Sequence, residues 1–260
     1  MFFKDVGEIL SKYYMYILRG VGNTLLLALT GTILGLLIGI LIGIFRTMPV
    51  AKNKWLRALQ KVLNFICSAY IEVFRGTPMM VQAMVIYWGY AFASGGNTLP
   101  LIPSGILIVS VNTGAYMSEI IRGGIISINK GQFEGAQAIG MTHFQLMRYV
   151  VLPQVLRNTL PSVSNEFIIN IKDTSVLNVI GVTELYFYAG VIRKFNLKIF
   201  QTYFIVCVIY FILTFSISRI LRLIEKKMDG KKNYTVQGSQ NMDADSILRE
   251  QTAAGGNGND

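Results

Sequence analysis

Apolar residues fall into five runs that are separated by shorter polar segments. The runs cover about residues 23–45, 62–92, 103–121, 156–182 and 200–223. They approach or exceed the roughly 20 residues that an α-helix needs to cross about 30 Å of bilayer hydrocarbon. The pattern therefore predicts an all-α integral membrane protein with about five transmembrane helices.

The second run is too long for one straight crossing, and the sequence Arg75-Gly76-Thr77-Pro78 interrupts it. Proline lacks the backbone N–H that a helix interior requires, and its ring clashes with the preceding turn. We therefore expect a kink at this point, or an interfacial helix that leads into the crossing.

Glycines repeat at every fourth position of the first run, at Gly31, Gly35, Gly39 and Gly43. Residues four apart share one helix face, and small residues let a second helix approach to backbone contact in lipid. The stripe predicts close packing inside one subunit or, alternatively, a surface along which helices slide during gating.

Composition supports a bilayer environment. Apolar residues make up 52% of the 260 positions and charged residues only 15%, compared with about a quarter in soluble proteins. The net charge of +10 is compatible with a nucleic-acid partner, but most of the cations flank apolar runs, so we predict no such partner.

Five spans would place fifteen Lys and Arg residues on one side of the membrane and six on the other. The cation-rich side is then cytoplasmic, with the N-terminus outside and the C-terminus inside.

Cys67, Cys207 and His143 are too few and too scattered for a disulfide framework or a metal cluster. We therefore expect no metal site, and we identify no catalytic residue.

The chain is predicted to divide into an extracytoplasmic segment 1–22, a transmembrane domain 23–224 and a polar cytoplasmic tail 225–260. The tail ends in a run of Gly, Asn, Ala and Asp that cannot bury a core, which predicts disorder.

A short helix is predicted at about 129–141, in the polar gap between the third and fourth runs. Gly140 suits a left-handed helix end. A surface helix with one carboxylate and small residues can press into a groove on a partner, where Glu134 could pair with a cation. Composition alone also allows an amphipathic surface helix without a partner.

The spacing around this helix resembles the EAA signature of permease subunits of ABC importers. That signature reads Glu-Ala-Ala, three residues, Gly, nine residues, an aliphatic residue, one residue and Leu-Pro. The chain matches it with Glu134, Gly135, Ala136, Gly140, Val150 and Leu152-Pro153. Further segments resemble the polar amino acid branch of the family, namely 70–78, 114–124, 152–154, 165–168 and 172–175. Gly135 replaces the usual alanine and should weaken the helix by up to about 1 kcal/mol.

The resemblance implies a type I ABC importer fold and several partners. The helix would couple to separate ATP-binding cassette subunits, because the chain has no Gly-x-x-x-x-Gly-Lys-Ser/Thr phosphate loop. Those subunits would use ATP and Mg²⁺, and this chain would bind no cofactor. An extracytoplasmic solute-binding protein would deliver a polar amino acid to a homodimer, or to paired permeases, surrounded by the lipid of a bacterial cell membrane.

Charged residues inside the predicted spans are costly and mark functional positions. Glu72 and Arg75, like Glu119 and Arg122, are three residues apart and could pair on one helix face. The pairs either neutralise each other near the interface or form a gate that breaks on opening.

The fourth run is best equipped to bind an amino acid, which needs partners for both an ammonium and a carboxylate. Glu166 and Asp173 are seven residues apart, on roughly one face, and Asn165 and Asn170 add amide groups. The third run supplies secondary candidates, which are Asn112, Thr113 and Ser118. A purely structural role for the two carboxylates remains open.

Three other classes of protein are compatible with parts of the sequence. An ion-coupled secondary amino acid transporter would explain carboxylates in the membrane, but it leaves the EAA spacing accidental. A membrane-embedded enzyme would need a nucleophile and a base, or a metal cluster, and none is evident. A passive channel would show no dependence on ATP.

Overall fold

The structure, a computed structural model, describes residues 1–229, and this part of the chain is helical throughout. Nine α-helices are joined by short turns, by a π-helical turn at Met147–Val151 and by a 3-10 segment at Thr174–Ile180. The helices are α1 Phe2–Arg46, α2 Lys54–Gly76, α3 Met79–Ala93, α4 Leu101–Ile126, α5 Lys130–Ala138, α6 His143–Leu146, α7 Leu152–Asp173, α8 Leu185–Asn196 and α9 Ile199–Asp229.

Among the described residues, α1, α4 and α9 are each long and apolar enough to cross a membrane alone. The stretch His143–Ile180 bends by 56° into α8, and the two would form a fourth span if counted as one. The second predicted run is divided between α2 and α3, and α3 has only 15 apolar-rich residues. The all-α membrane fold is confirmed, while length and hydropathy alone support three or four of the five predicted spans.

The predicted break at Pro78 is confirmed. α2 ends at Gly76, and Pro78 caps the start of α3 in an extended conformation. Because Pro78 has no N–H, the carbonyl of Phe74 four residues earlier loses its helical donor. The Gln82 amide replaces it at 2.9 Å, and it also donates to the Thr77 carbonyl at 2.9 Å.

The glycine stripe of α1 faces α4. A methyl group on Gly35 would lie 2.8 Å from Cβ of Thr113, and one on Gly43 would lie 2.8 Å from the Ile121 side chain. A methyl group on Gly31 would likewise clash with Val109, and one on Gly39 with Met117. The partner positions on α4 therefore also repeat every four residues. The structure therefore supports the packing interpretation of the stripe within one subunit.

The predicted boundary near residue 22 falls inside a helix, because α1 runs from Phe2 to Arg46 without interruption, apart from a kink at Tyr13. Its first turns pack against α8 and α9 through a shared apolar cluster. The cluster contains Ile9, Tyr13, Ile17, Leu185, Ala189, Ile192, Ile205 and Val206. Apart from 225–229, which continue α9, the predicted tail lies outside the described residues.

Candidate functional site

The helix that carries Glu134 is well defined at both ends. The Asn129 side chain caps α5 by accepting from the Gly131 N–H at 2.8 Å. The chain leaves α5 through Gly140, whose φ of +75° lies in the left-handed region, as predicted. The helix itself, Lys130–Ala138, is slightly shorter than the predicted 129–141.

One side of α5 is anchored and the other is free. Ala136 is buried in an apolar cluster with Ile125 of α4 and with Met147 and Val151 of the π-helical turn. Glu134 and Gly135 are exposed, and a methyl group on Gly135 would meet nothing within 4 Å. The buried side of α5 is therefore packed against the end of α4 and against the π-helical turn that precedes α7.

The Leu-Pro end of the motif shapes the start of α7. Pro153 cannot donate to the carbonyl of Tyr149, and the chain forms a π-helical turn in which the Leu152 N–H donates to the Met147 carbonyl. The Gln154 side chain donates to the Val150 carbonyl at 2.8 Å. Such π-helical turns are frequent at functional sites.

Sequence reasoning missed an apolar patch around α5. Ile139 is 76% exposed and Phe144 is 70% exposed, and Tyr149 is also exposed, with the Arg148 guanidinium 5.7 Å from its ring centre. Together with Glu134, these side chains form a mixed apolar and charged surface. Such a composition is typical of protein interfaces, where aromatic residues and arginine are enriched.

Only one of the two predicted ion pairs forms. Arg122 donates to Glu119 at 2.8 Å, and Arg46 at the end of α1 also binds Glu119. Glu72 and Arg75 are both exposed, and no ion pair joins them among residues 1–229. The Arg75 guanidinium lies 5.5 Å from the centre of the Tyr116 ring instead, so the Glu72–Arg75 pair is not formed in this structure and its role as a gate stays a prediction.

Arg46 is an ion-pair partner of Glu119 that sequence reasoning missed. It stands three residues after Gly43, and the glycine stripe places that face of α1 against α4. Gly43 meets Ile121, two positions from Glu119. The signal needed was the identity of the helix that covers the stripe, which the sequence does not state.

Four of the predicted binding residues are buried and already hydrogen-bonded. Asn170 accepts from Thr113 at 3.1 Å and donates to Thr32 at 2.8 Å, so α7, α4 and α1 meet at one polar clamp. Asn112 donates to the Gln82 side chain at 2.8 Å and so supports the break at Pro78. Ser118 donates to the Ala115 carbonyl at 2.8 Å.

Glu166 and Asp173 differ from these four residues. Both are half-buried, and neither side chain is hydrogen-bonded within residues 1–229, while Asn165 is exposed. Both carboxylates lie on α7, and within the described residues both keep unused hydrogen-bonding capacity.

A cavity of about 280 Å³ opens immediately beyond Asp173. Its lining includes Ser175, Asn178, Met80 and Tyr186, so it combines polar groups of the 3-10 segment with apolar walls from α3 and α8. The volume is close to the lower limit of about 300 Å³ for small-molecule sites.

Glu184 is a buried carboxylate that sequence reasoning missed, because it lies just beyond the fourth predicted span. It caps α8 by accepting from the N–H groups of Tyr186 at 2.8 Å and Phe187 at 2.6 Å, and it accepts from the Tyr210 hydroxyl at 2.8 Å. Nearby, Asn23 of α1 donates to the Thr183 carbonyl at 2.6 Å. This junction ties α1, α8 and α9 together and leaves the Glu184 carboxylate fully occupied.

The described residues form a bundle of apolar helices that leaves one side of α5 exposed, and comparison with known families identifies the class of protein. Residues 35–230 match the family described as binding-protein-dependent transport system inner membrane component. The chain belongs to this family.

Two curated relatives carry amino acid transport names. The glutamine transport system permease protein GlnP of Escherichia coli is 39% identical over 64% of this chain and 76% of its own length. The L-cystine transport system permease protein TcyB of Bacillus subtilis is 42% identical over 64% of this chain and 71% of its own length.

Solved structures share the fold. A crystal structure described as an amino acid ABC transporter with histidines superposes with a TM-score of 0.71, at 35% identity, over 84% of this chain and 96% of that chain. An inward-facing structure of the MetNI methionine ABC transporter has a TM-score of 0.62 at 19% identity, over 81% of this chain and 97% of that one. The chain is therefore an amino acid ABC transporter permease with the fold of type I importers.

Proposed function

We propose that the chain forms the translocation path of an ATP-driven importer of polar amino acids and couples to separate ATPase subunits through α5. The observation that carries this proposal is the position of α5. Glu134 is exposed for docking, whereas Ala136 is packed against the ends of α4 and α7. A relative named for glutamine and another for cystine support a polar amino acid as the substrate.

Coupling would proceed through the apolar cluster beneath α5. When two ATPase subunits bind ATP and Mg²⁺ and close, they would pull α5, and the cluster around Val151 would move with it. The π-helical turn at Met147–Val151 has fewer regular helical bonds than α7 and provides a natural place for this displacement to bend the chain. The movement would then reach Glu166 and Asp173 along α7.

The substrate pocket in this proposal comprises Glu166, Asp173 and Asn165. The two carboxylates would receive the ammonium group of the amino acid, because ionised partners form the strongest hydrogen bonds, and the Asn165 amide would donate to its carboxylate. Asn112, Thr113, Ser118 and Asn170 would support the pocket by holding α4 and α7 in register, since their polar groups are already bonded.

The same proposal includes the partners and the topology. The permease would work as a homodimer or with a similar permease in a bacterial cell membrane, with its N-terminus outside and its C-terminus in the cytoplasm. An extracytoplasmic solute-binding protein would present the substrate. The Glu119 pairs with Arg122 and Arg46 would lie near the cytoplasmic ends of α4 and α1, where they could act as a gate.

The decisive experiment is purification of the tagged protein from its native host, with Glu134→Arg compared with Gly135→Ala. We expect a P-loop ATPase to copurify with the wild type and with Gly135→Ala, because the added methyl group has free space and restores the usual residue of the signature. Charge reversal at Glu134 should remove the ATPase without lowering the yield of folded permease.

Retention of the ATPase by Glu134→Arg would contradict coupling through this residue. The alternative function, an ion-coupled secondary amino acid transporter, is favoured only by the carboxylates of α7. It predicts uptake that collapses with the ion gradient and continues in both variants. ATP-dependent uptake that a protonophore leaves unchanged would exclude it.

A further inference from the structure

The first turns of α2 and the connection before them form a basic surface without acidic partners. Lys52, Lys54, Arg57 and Lys61 are all exposed, and none of them makes an ion pair with a residue in the described part of the chain. The sequence has no Asp or Glu between Glu8 and Glu72. The nearest cation of the preceding helix, Arg46, is already bound to Glu119.

This basic surface is ordered by its own side chains. The Gln60 side chain accepts from the Ala51 N–H at 3.0 Å and donates to the Pro49 carbonyl at 3.2 Å. Arg57 donates to the Ala51 carbonyl at 3.2 Å, and Asn53 caps α2 by accepting from the Trp55 N–H at 2.9 Å. The cations are therefore presented from a folded turn rather than from a loose linker.

The same turns of α2 have an apolar side. Lys54, Arg57 and Lys61 follow each other at spacings of three and four residues, and Leu59, Val62 and Ile66 do the same on another face. Those apolar side chains are exposed, and Trp55 is 85% exposed at the start of the helix. A helix with cations on one face and Trp and Leu on the other is typical of the membrane interface.

We propose that this surface, residues 52–61, binds the headgroups of anionic phospholipids, with Trp55 placed at the boundary between headgroups and acyl chains. Charge complementarity favours this occupant, because each Lys or Arg near an anionic leaflet is attracted to it. An acidic protein would also satisfy the cations. It would not account for the exposed apolar side chains that continue along the other face of α2. The inference does not depend on how the permease couples to ATP.

Trp55 itself provides the test, because the chain has only one other tryptophan, Trp88. The full-length protein with Trp88→Phe is reconstituted, together with any copurifying subunits, into phosphatidylcholine vesicles. Brominated phosphatidylglycerol or brominated phosphatidylcholine is then added in increasing proportion as a fluorescence quencher. The double variant Trp55→Phe, Trp88→Phe gives the background to subtract.

We expect anionic lipid to reach half-maximal quenching of Trp55 at a lower mole fraction than neutral lipid does. The difference should be at least about fivefold, because one Lys or Arg near an anionic surface is worth about 1 kcal/mol. Replacing Lys52, Lys54 and Lys61 by Gln should weaken this preference, because three of the four cations are removed, and should leave the quenching by neutral lipid unchanged. This triple variant retains Arg57, so the hydrogen bond that orders the turn is kept. The preference should also diminish in 1 M salt, where the Debye length is about 3 Å.

A matched control is the neutralisation of Arg219, Arg222 and Lys226 on α9, which should leave the Trp55 response unaltered. Equal quenching by the two lipids would overturn the proposal, because it would show contact without recognition of charge. Absence of quenching by either lipid would also overturn it, since it would mean that protein covers this surface.

Discussion

α1 and α2 both pack on α4, yet they do so in opposite ways. The membrane part of α1 is joined to α4 along four successive glycines, from Gly31 to Gly43. The first half of α2 has large exposed side chains, among them Leu59, Phe65 and Ile66. Since lipid tails are as apolar as leucine, apolarity does not drive helices together in a membrane, and close packing of small residues does.

The second half of α2 obeys the same rule as α1. Tyr70 donates to the Val111 carbonyl of α4 at 2.5 Å, and this approach requires Gly114, where a methyl group would lie 2.8 Å from the Tyr70 hydroxyl. The close packing of α4 against α1 and against the second half of α2 therefore depends on glycines in both cases. The side chains of α2 without such a counterpart are left for lipid or for another subunit.

The largest expected effect comes from filling the α1–α4 contact. Gly35→Leu would place a side chain where a single methyl group already lies 2.8 Å from Thr113 Cβ, so the helices must separate. Overpacking of this kind costs about 1–3 kcal/mol, occasionally more. We expect a large loss of folded protein and a lower Tm in mild detergent, measured by size-exclusion chromatography and thermal unfolding.

Gly22→Leu is the matched control, because Gly22 lies on the same helix and a methyl group there would meet nothing within 4 Å. It should retain the wild-type yield. Equal damage from both variants would mean that glycine is needed for the flexibility of α1 and that the contact with α4 is secondary.

A smaller effect is expected from breaking the polar clamp between α1, α4 and α7. Asn170→Leu removes the hydrogen bonds to Thr32 and Thr113. Interhelical hydrogen bonds in membranes average about 0.6 kcal/mol, with a maximum of about 1.7, so the loss should be about 1–2 kcal/mol. Reversible unfolding in mixed micelles would measure it.

Thr30→Val is the corresponding control for the clamp. Thr30 bonds only to the Leu26 carbonyl of its own helix, and its replacement should change the free energy of unfolding by less than about 0.5 kcal/mol. An equally small change in the free energy of unfolding for Asn170→Leu would show that the clamp does not hold the three helices together. Asn170 would then again be a candidate for binding the substrate.

The N-terminal end of α1 is held by ion pairs, which makes the stability of this contact depend on pH. Hydrogen bonds from Lys198 lower the pKa values of Asp5 and Glu8, and the same contacts raise the pKa of Lys198. The stability that ionised Asp5 and Glu8 contribute is complete above their unfolded pKa values of about 4. It is lost as the pH falls through their lower pKa values in the folded protein. The Lys198 contribution is complete below its unfolded pKa of about 10.4 and is lost as the pH rises through the higher folded value.

Lys198→Met should therefore lower the Tm at neutral pH, and the difference from wild type should shrink in strong acid and in strong base. The contacts are solvent-accessible, so 1 M salt should also reduce the difference. A difference in Tm that stayed constant across the pH range would show that the lysine stem, and not its charge, holds α1 to the start of α9.

The smallest effect is expected on the free face of α2. Leu59 is exposed, so Leu59→Ala should change the unfolding free energy of the isolated subunit by less than about 0.5 kcal/mol. Thermal unfolding of the detergent-solubilised subunit would test this. A large loss would show that the first turns of α2 pack against protein. The contrast between α1 and α2 as partners of α4 would then be smaller than the structure indicates.

Local features were predictable from the sequence because their causes are local. Pro78 ends α2 through its missing N–H, Gly140 allows the left-handed exit from α5, and the spacing of Glu119 and Arg122 allows their pairing on one helix. The motif around Glu134 could also be recognised from the sequence, because its spacing is a property of one continuous segment. The same spacing did not produce a pair between Glu72 and Arg75 in this structure, where Arg75 contacts the Tyr116 ring of α4 instead.

The sequence by itself determined an all-α membrane protein, the positions of its breaks, and a resemblance that comparison with known proteins confirmed. Only the tertiary structure decided that α4 covers the glycine stripe, that Arg46 reaches Glu119, and that Asn170 joins three helices while Glu166 and Asp173 make no hydrogen bond within residues 1–229. The physical reason is that, in lipid, every apolar helix face is acceptable to the solvent. Steric fit and hydrogen bonds between distant segments therefore select the partners, and neither is visible along a single chain.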